Sequence, residues 1–159
     1  MRQDHIAKAA LCATFIAALT FGPAARAVPA DAHLSPKEVI DRFNQLAFFD
    51  NKPVEAVEKY FSPDVIEHDP GLPSGRAAIV QYLKKRWASA APMKDKIYHV
   101  IADGELVAVH HHVMTHPDDP NDPGLAYIDL FRVHNGQVVE HWDVGQPIPR
   151  TAANSNGMF

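Results

Sequence analysis

The chain has 159 residues, 47% hydrophobic and 21% charged, a balance that suits one soluble domain and excludes a disordered or fibrous chain. Its formal charge is −4, from 15 basic and 19 acidic residues, which argues against a broad phosphate-binding surface and so against nucleic acid as a partner. A single cysteine, Cys12, excludes an internal disulfide.

At the N-terminus, Arg2 and Lys8 lead into an apolar stretch from Ala9 to Phe21, and Ala25-Arg26-Ala27 fits the small-x-small cleavage pattern before Val28. The stretch is shorter than the roughly 20 residues that cross a bilayer. Residues 1–27 are therefore expected to be a signal peptide cut after Ala27, leaving residues 28–159 as a single periplasmic or secreted domain with no membrane attachment. Loss of Arg2, Asp4, Lys8 and Arg26 takes the formal charge from −4 to −6. Cys12 leaves as well, so core burial alone must hold the domain, and its size permits that.

Residues 28–34 read as a short lead. Ser35-Pro36-Lys37-Glu38 is a capping box with proline at the first helical position, which predicts a helix whose inward face carries Val39, Ile40, Phe43, Leu46, Ala47 and Phe49. Asp50-Asn51-Lys52 interrupts it, and Pro53 opens a second helix through about Phe61, with Val54, Val57, Tyr60 and Phe61 inward. Ser62-Pro63-Asp64 reads as a turn, followed by a short extended run from Val65 to His68 that ends at Asp69-Pro70. A third helix is expected from Arg76 to about Ser89, burying Ile79, Tyr82, Leu83 and Trp87. The Lys84-Lys85-Arg86 cluster at its last turn reads as charge favourable to a helix C-terminus.

From Lys94 the hydrophobic period changes from helical to two-residue. Strands are expected over Ile97 to Ala102 and Leu106 to Thr115, joined at Asp103-Gly104, and His116 to Pro123 should form an exposed loop. Then comes the strongest local signal, Tyr127 to Asp143, where two runs of aromatic and β-branched residues flank Asn135-Gly136. A two-residue turn would pair His134 with Gln137 and leave Asp129 and Asp143 on opposite faces. A three-residue loop with Gly136 as a bulge would pair Val133 with Gln137 and gather Tyr127, Asp129, Phe131, Val139, His141 and Asp143 on one face. The second register builds a site and is adopted, because ionised carboxylates are rarely buried without partners.

Alternation along Val107 to Val113 places His110 and His112 on one face and His111 on the other, so only one set can look into a pocket. His110-x-His112 is a weak metal signal, and no metal or other cofactor is expected. An imidazole with an ordinary pKa near 6.5 is better read as orienting or protonating a ligand oxygen beside a carboxylate. His68, ahead of a Gly/Pro loop, is a further pocket candidate. The sequence contains no G-x-S-x-G, P-loop or Rossmann glycine pattern, so serine nucleophiles and nucleotide binding lack support.

The stretches Tyr60-Phe61, Val65 to Pro70, His110-x-His112, Ile128 to Val133 with Gly136, Val139 to Val144, Gln146-Pro147 and Asn154-x-Asn156-Gly157-Met158-Phe159 together resemble one family. It is the SnoaL-like group of the nuclear-transport-factor-2-like superfamily, in particular bacterial proteins described as predicted aldol-condensation-catalysing enzymes. The resemblance implies an α+β cone, a curved and mainly antiparallel sheet wrapped around about three helices, with a small-molecule pocket inside and homodimers common. It also implies that Asp143 is the general acid/base and that Asp129 or His141 is its partner. Polyketide cyclases of the superfamily usually carry histidine where Asp129 stands, and two carboxylates on one face would raise one pKa.

The expected function is cofactor-independent proton transfer next to a carbonyl, of the aldol, cyclisation or isomerisation type. The catalytic candidates are Asp143, Asp129 and His141, and the substrate-binding candidates are His68, His110, His112, Tyr127, Phe131 and Trp142. The alternative is a non-catalytic exported protein that binds a small molecule in the same pocket. The tail from Ile148 lacks a period, yet Met158 and Phe159 are expected to dock near the pocket mouth or on a dimer partner, with Asn154 and Asn156 fixing a turn.

Overall fold

A computed structural model describes residues 34–88 and 93–159, although not the side chain of Trp87; the expected signal peptide and the predicted burial of Trp87 lie outside the described residues. Three helices, α1 (Pro36–Asn44), α2 (Pro53–Tyr60) and α3 (Arg76–Trp87), accompany five strands. The strands are β1 (Phe61–Glu67), β2 (Lys94–Asp103), β3 (Leu106–Met114), β4 (Leu125–His134) and β5 (Gln137–Pro147). They form one curved sheet in the order β1-β5-β4-β3-β2, in which β1 runs parallel to β5 and every other pair is antiparallel. This is the α+β arrangement expected for the nuclear-transport-factor-2-like fold.

The α1 capping box forms as the sequence predicts: the Glu38 amide donates to Ser35 Oγ at 3.3 Å, and the Ser35 amide donates to Glu38 Oε2 at 2.8 Å. Past Asn44 the helix widens into a π-turn over Gln45–Phe49, closed by the Asp50 amide on the Gln45 carbonyl. The wider turn advances the phase by one residue. Phe48 packs against Phe43, and Phe49, expected inward, is 57% exposed. Phe43 also meets Phe61 from β1 and Phe131 from β4, so one aromatic cluster joins α1 to the sheet.

Ser62-Pro63-Asp64 is extended rather than a turn. It lies inside β1 at the sheet edge, where pairing with β5 is irregular between Phe61 and Ile66, and an edge position without ladder bonds tolerates a proline. The turn after β2 uses Gly104-Glu105, one residue later than expected, with Gly104 at φ +56.

The β4–β5 hairpin departs from the adopted register in both its turn and its pairing: no three-residue loop forms, and Val133 does not pair with Gln137. Asn135 and Gly136 both have positive φ, 49 and 73, which makes a two-residue turn that pairs His134 with Gln137. Val133 then pairs with Val138 and Arg132 with Glu140, so Val139 is an extra residue in β5. That bulge shifts the register by one. Asp129 is brought opposite Asp143 and Phe131 opposite His141, whereas Val138 and not Val139 enters the core. A second bulge in β2, at Tyr98, sets both Tyr98 and His99 beside His110 on the outer face.

Candidate active site

Between the helices and the inner face of the sheet lies a cavity of about 290 Å³. Phe43, Phe48, Phe61, Phe131 and Tyr82 give it apolar walls, and its polar end is made by Glu67, Asp69, His111, Tyr127, Asp129, His141 and Asp143. Such a lining, mostly apolar with a few convergent polar groups, is the usual form of a small-molecule site.

The polar end is a buried row in which carboxylates and imidazoles alternate. Asp95 Oδ2 accepts from His111 Nδ1 at 2.7 Å; His111 Nε2 lies 3.1 Å from Asp129 Oδ2, near enough for an ion pair but off the line of a hydrogen bond. On the other side His141 Nε2 is 3.6 Å from Asp129 Oδ1, and His141 Nδ1 donates to Glu67 at 2.8 Å. The Glu67 carboxylate is pinned in turn by the backbone amides of His68 and Asp69. Five side chains from β1 to β5 thus meet through register alone: β3 pairs Val109 with Asp129, and β1 pairs Glu67 with His141.

Burial by itself lowers an imidazole pKa, but flanking carboxylates outweigh it here. His111 is raised to about 9 by Asp129 and Asp95, and His141 to about 10 by Asp129 and Glu67. Asp129 is the reverse case: burial favours its neutral form, yet the two imidazoliums hold it below the ordinary carboxylate range. Asp143 is different. Burial, then the charges of Asp69 and Asp129, push it up to about 6 against a smaller opposing effect of His141. Among two facing aspartates, Asp143 therefore titrates near neutrality while Asp129 stays ionised. Tyr127 is raised above its usual value by burial and by Asp143, and its phenol remains a donor. Its ring covers Gly145 across the β4–β5 pair, where any Cβ would collide with it.

Of the predicted site residues, Asp129, His141, Asp143, Tyr127 and Phe131 line this cavity, and the other four do not. His110 and His112 lie on the outer face, because Val107, Val109 and His111 take the inward positions of β3. His110 sits 3.2 Å from His99, Nδ1 to Nδ1, and His112 Nε2 donates to the Pro123 carbonyl at 2.8 Å. Trp142 alternates outward between His141 and Asp143, and His68 stacks on it with ring centroids 4.7 Å apart. His68 also contacts Glu140 at 2.9 Å. The tail docks too, but on this outer face and away from the pocket mouth: Phe159 stacks on Tyr98, His110 and His112, behind an Asn154–Asn156 turn.

Sequence reasoning missed His111, Glu67, Asp69 and Asp95. A signal existed for His111, whose phase with Val107 and Val109 makes it the imidazole on an apolar face. Glu67 and Asp69 alternate with His68, so placing His68 in the pocket put the wrong phase inward. Among the described residues, no group of three or more His, Cys, Asp or Glu is arranged to hold a metal ion.

The sequence profile of the SnoaL-like domain matches residues 40–141. No curated protein gives a match. Among solved structures, the chain is similar to a protein from Kribbella flavida provisionally named a ketosteroid isomerase, at 16% identity and a TM-score of 0.58, over 77% of this chain and 83% of that one. A protein from Acidithiobacillus ferrooxidans provisionally named a polyketide cyclase gives 20% identity and a TM-score of 0.55, over 71% and 89%. A protein of unknown function from Cytophaga hutchinsonii, described as nuclear-transport-factor-2-like, gives 13% and 0.56, over 71% and 91%. At these identities the structures establish a shared fold and the profile match establishes the family: the chain belongs to the SnoaL-like domain family, built on a nuclear-transport-factor-2-like fold.

Proposed function

We propose that this protein is a cofactor-independent enzyme that moves a proton on the carbon next to a carbonyl of a small organic substrate, in an isomerisation, cyclisation or aldol-type reaction. The observation that carries the reading is the pairing of Asp143, raised to about 6, with an ionised Asp129 locked between two imidazoliums in a largely apolar cavity. A base poised near the working pH combines a large deprotonated fraction with useful driving force. Asp143 removes the proton; the enolate oxygen accepts from the Tyr127 phenol and from His141, whose Nε2–H is only loosely engaged at 3.6 Å by Asp129. Asp129 carries no proton and acts by holding His111 and His141 charged. Asp95 and Glu67 position the same two rings from behind.

The names of the structural neighbours, a ketosteroid isomerase and a polyketide cyclase, support the same reaction class. The short apolar N-terminal stretch supports an exported protein, periplasmic or secreted. A homodimer is also proposed, with Ile66, Ile101, Ile128 and Val144 exposed on the outer sheet face as its apolar surface. The reaction is tested by incubating the purified protein with small enolisable ketones in deuterium oxide and following loss of the α-proton signal. Exchange that Asp143→Asn abolishes is expected. A ligand retained unchanged over hours, with no exchange in any ketone, would favour the binding-only alternative.

A further inference from the structure

Buried polar atoms are normally paired, and an exception asks for a partner. Among the described residues, the buried side-chain atoms without a hydrogen bond are Asn44 Nδ2, Asp95 Oδ1 and His111 Nε2; of these residues only His111 lines the cavity. Its ring is fixed in place. Asp95, itself buried, accepts from Nδ1 at 2.7 Å, and the rings of Phe48 and Tyr127 flank the imidazole with centroids 6.1 and 5.8 Å away. The imidazole is charged, its pKa raised to about 9, so Nε2 carries a proton as well. Asp129 Oδ2 at 3.1 Å supplies countercharge but does not lie in line with that N–H. Strand register says where this donor stands. His111 approaches Oδ2 of Asp129 from β3, whereas His141 approaches Oδ1 from β5, and the Tyr127 ring lies over Gly145 of β5. The enolate oxygen assigned to Tyr127 and His141 is therefore on the β5 side of Asp129, and the His111 donor is on the β3 side.

We infer that His111 is a substrate-binding residue that sets specificity: its Nε2–H donates to a second oxygen of the substrate, a neutral carbonyl or hydroxyl oxygen lying across Asp129 from the carbonyl that enolises. The inference rests on the proton-transfer reading for the position of that carbonyl, and adds a second polar subsite. Neighbouring strands are about 5 Å apart, so one to two strand spacings, roughly 5–10 Å, separate the two oxygens. The acceptor is neutral because an anion there would stand beside ionised Asp129. Such a donor discriminates well. A ligand without the second oxygen leaves a buried, charged N–H unpaired, and that penalty is what lets a site built for hydrogen bonding reject an analogue that lacks the group.

The test pairs two ligands of one shape: 1,4-diacetylbenzene, whose acetyl groups stand at opposite ends of a ring, and 4-isopropylacetophenone, in which an isopropyl group replaces one of them. Both keep an enolisable acetyl group. Titrated calorimetrically into the purified protein at pH 7.5, 1,4-diacetylbenzene is expected to bind about tenfold more tightly, the gain of one charge-assisted hydrogen bond. In protein carrying nitrogen-15-labelled histidine, the His111 Nε2–H signal is expected further downfield in the 1,4-diacetylbenzene complex than in the other. His111→Leu, checked for folding by its melting curve, is expected to bind the two compounds equally; if it does not fold, the labelled wild-type spectra decide. Equal affinities in the wild type, one His111 signal position in both complexes, binding of neither compound, or a gap that survives in folded His111→Leu overturns the inference. Deuterium exchange of the acetyl protons is read separately. Exchange in both compounds without an affinity gap removes this inference and leaves the proposed reaction, whereas a gap with the shifted signal but no exchange removes the reaction and leaves a pocket that binds two oxygens.

Discussion

His110, His111 and His112 are consecutive, identical in chemistry and opposite in circumstance. His111 is 3% exposed between two buried acids and charged at neutral pH, while its neighbours lie on the outer face under Phe159, with no carboxylate side chain against them among the described residues. The same contrast separates Asp143 from Trp142 in β5 and Glu67 from His68 after β1. One residue of phase decides whether a polar group meets desolvation and a facing charge or meets water, and only the first alters its chemistry.

The comparison is broken most directly at Asp143. Asp143→Asn is expected to lower α-proton exchange by about 10²- to 10⁴-fold, the usual contribution of a general base. The same change is expected to stabilise the fold above pH 6 by on the order of 1–2 kcal/mol once the shift is discounted for solvent screening of this half-buried group, since a carboxylate whose folded pKa is raised above its unfolded value costs stability once ionised. A melting temperature that falls at pH 8 would show that Asp143 is held by favourable contacts instead.

Next in size is the histidine pair across the sheet. Replacing His111 by leucine leaves Asp95 buried without its countercharge and Asp129 with His141 alone, and is expected to cost about 3–5 kcal/mol in urea unfolding. His110→Leu is expected to stay within about 1 kcal/mol. Equal costs would mean that the two faces do not differ as described.

Alkaline pH titrates one face and spares the other. His111 and His141 have folded pKa values of about 9 and 10, above their unfolded value, so their contribution is complete below pH 6.5 and is lost as pH rises through 9 and 10. Thermal stability is therefore expected to fall over that range in the wild type. The fall should be smaller in Glu67→Gln, where the His141 imidazolium has lost one of its two carboxylates.

A smaller change sharpens the inner face alone. Gly145→Ala forces the Tyr127 ring off its seat, at a cost of about 1–3 kcal/mol for overpacking, and is expected to slow exchange by displacing the phenol. Smallest of all, Phe159→Ala is expected to cost about 1 kcal/mol by uncovering Tyr98, His110 and His112, with no change in exchange. An effect on exchange would couple the two faces.

By itself the sequence determined the local events: the Ser35–Glu38 cap, the Pro53 helix start, the place of the hairpin at Asn135-Gly136 though not its turn type, and the alternation of β3 and β4. It also carried the family, and through it the curved α+β fold, because these signals lie within a few residues of each other and are set by backbone sterics and short-range hydrogen bonding. What only the tertiary structure decided was phase and partnership. The π-turn that sends Phe48 inward in place of Phe49, and the extra residue at Val139 that brings Asp143 opposite Asp129, leave no local mark, since each answers to packing from another element. The row from Asp95 through His111, Asp129 and His141 to Glu67 draws on five strands, with Glu67 74 positions from His141. A charge so buried is stable only when its partners are already in place, and no single stretch of chain contains them.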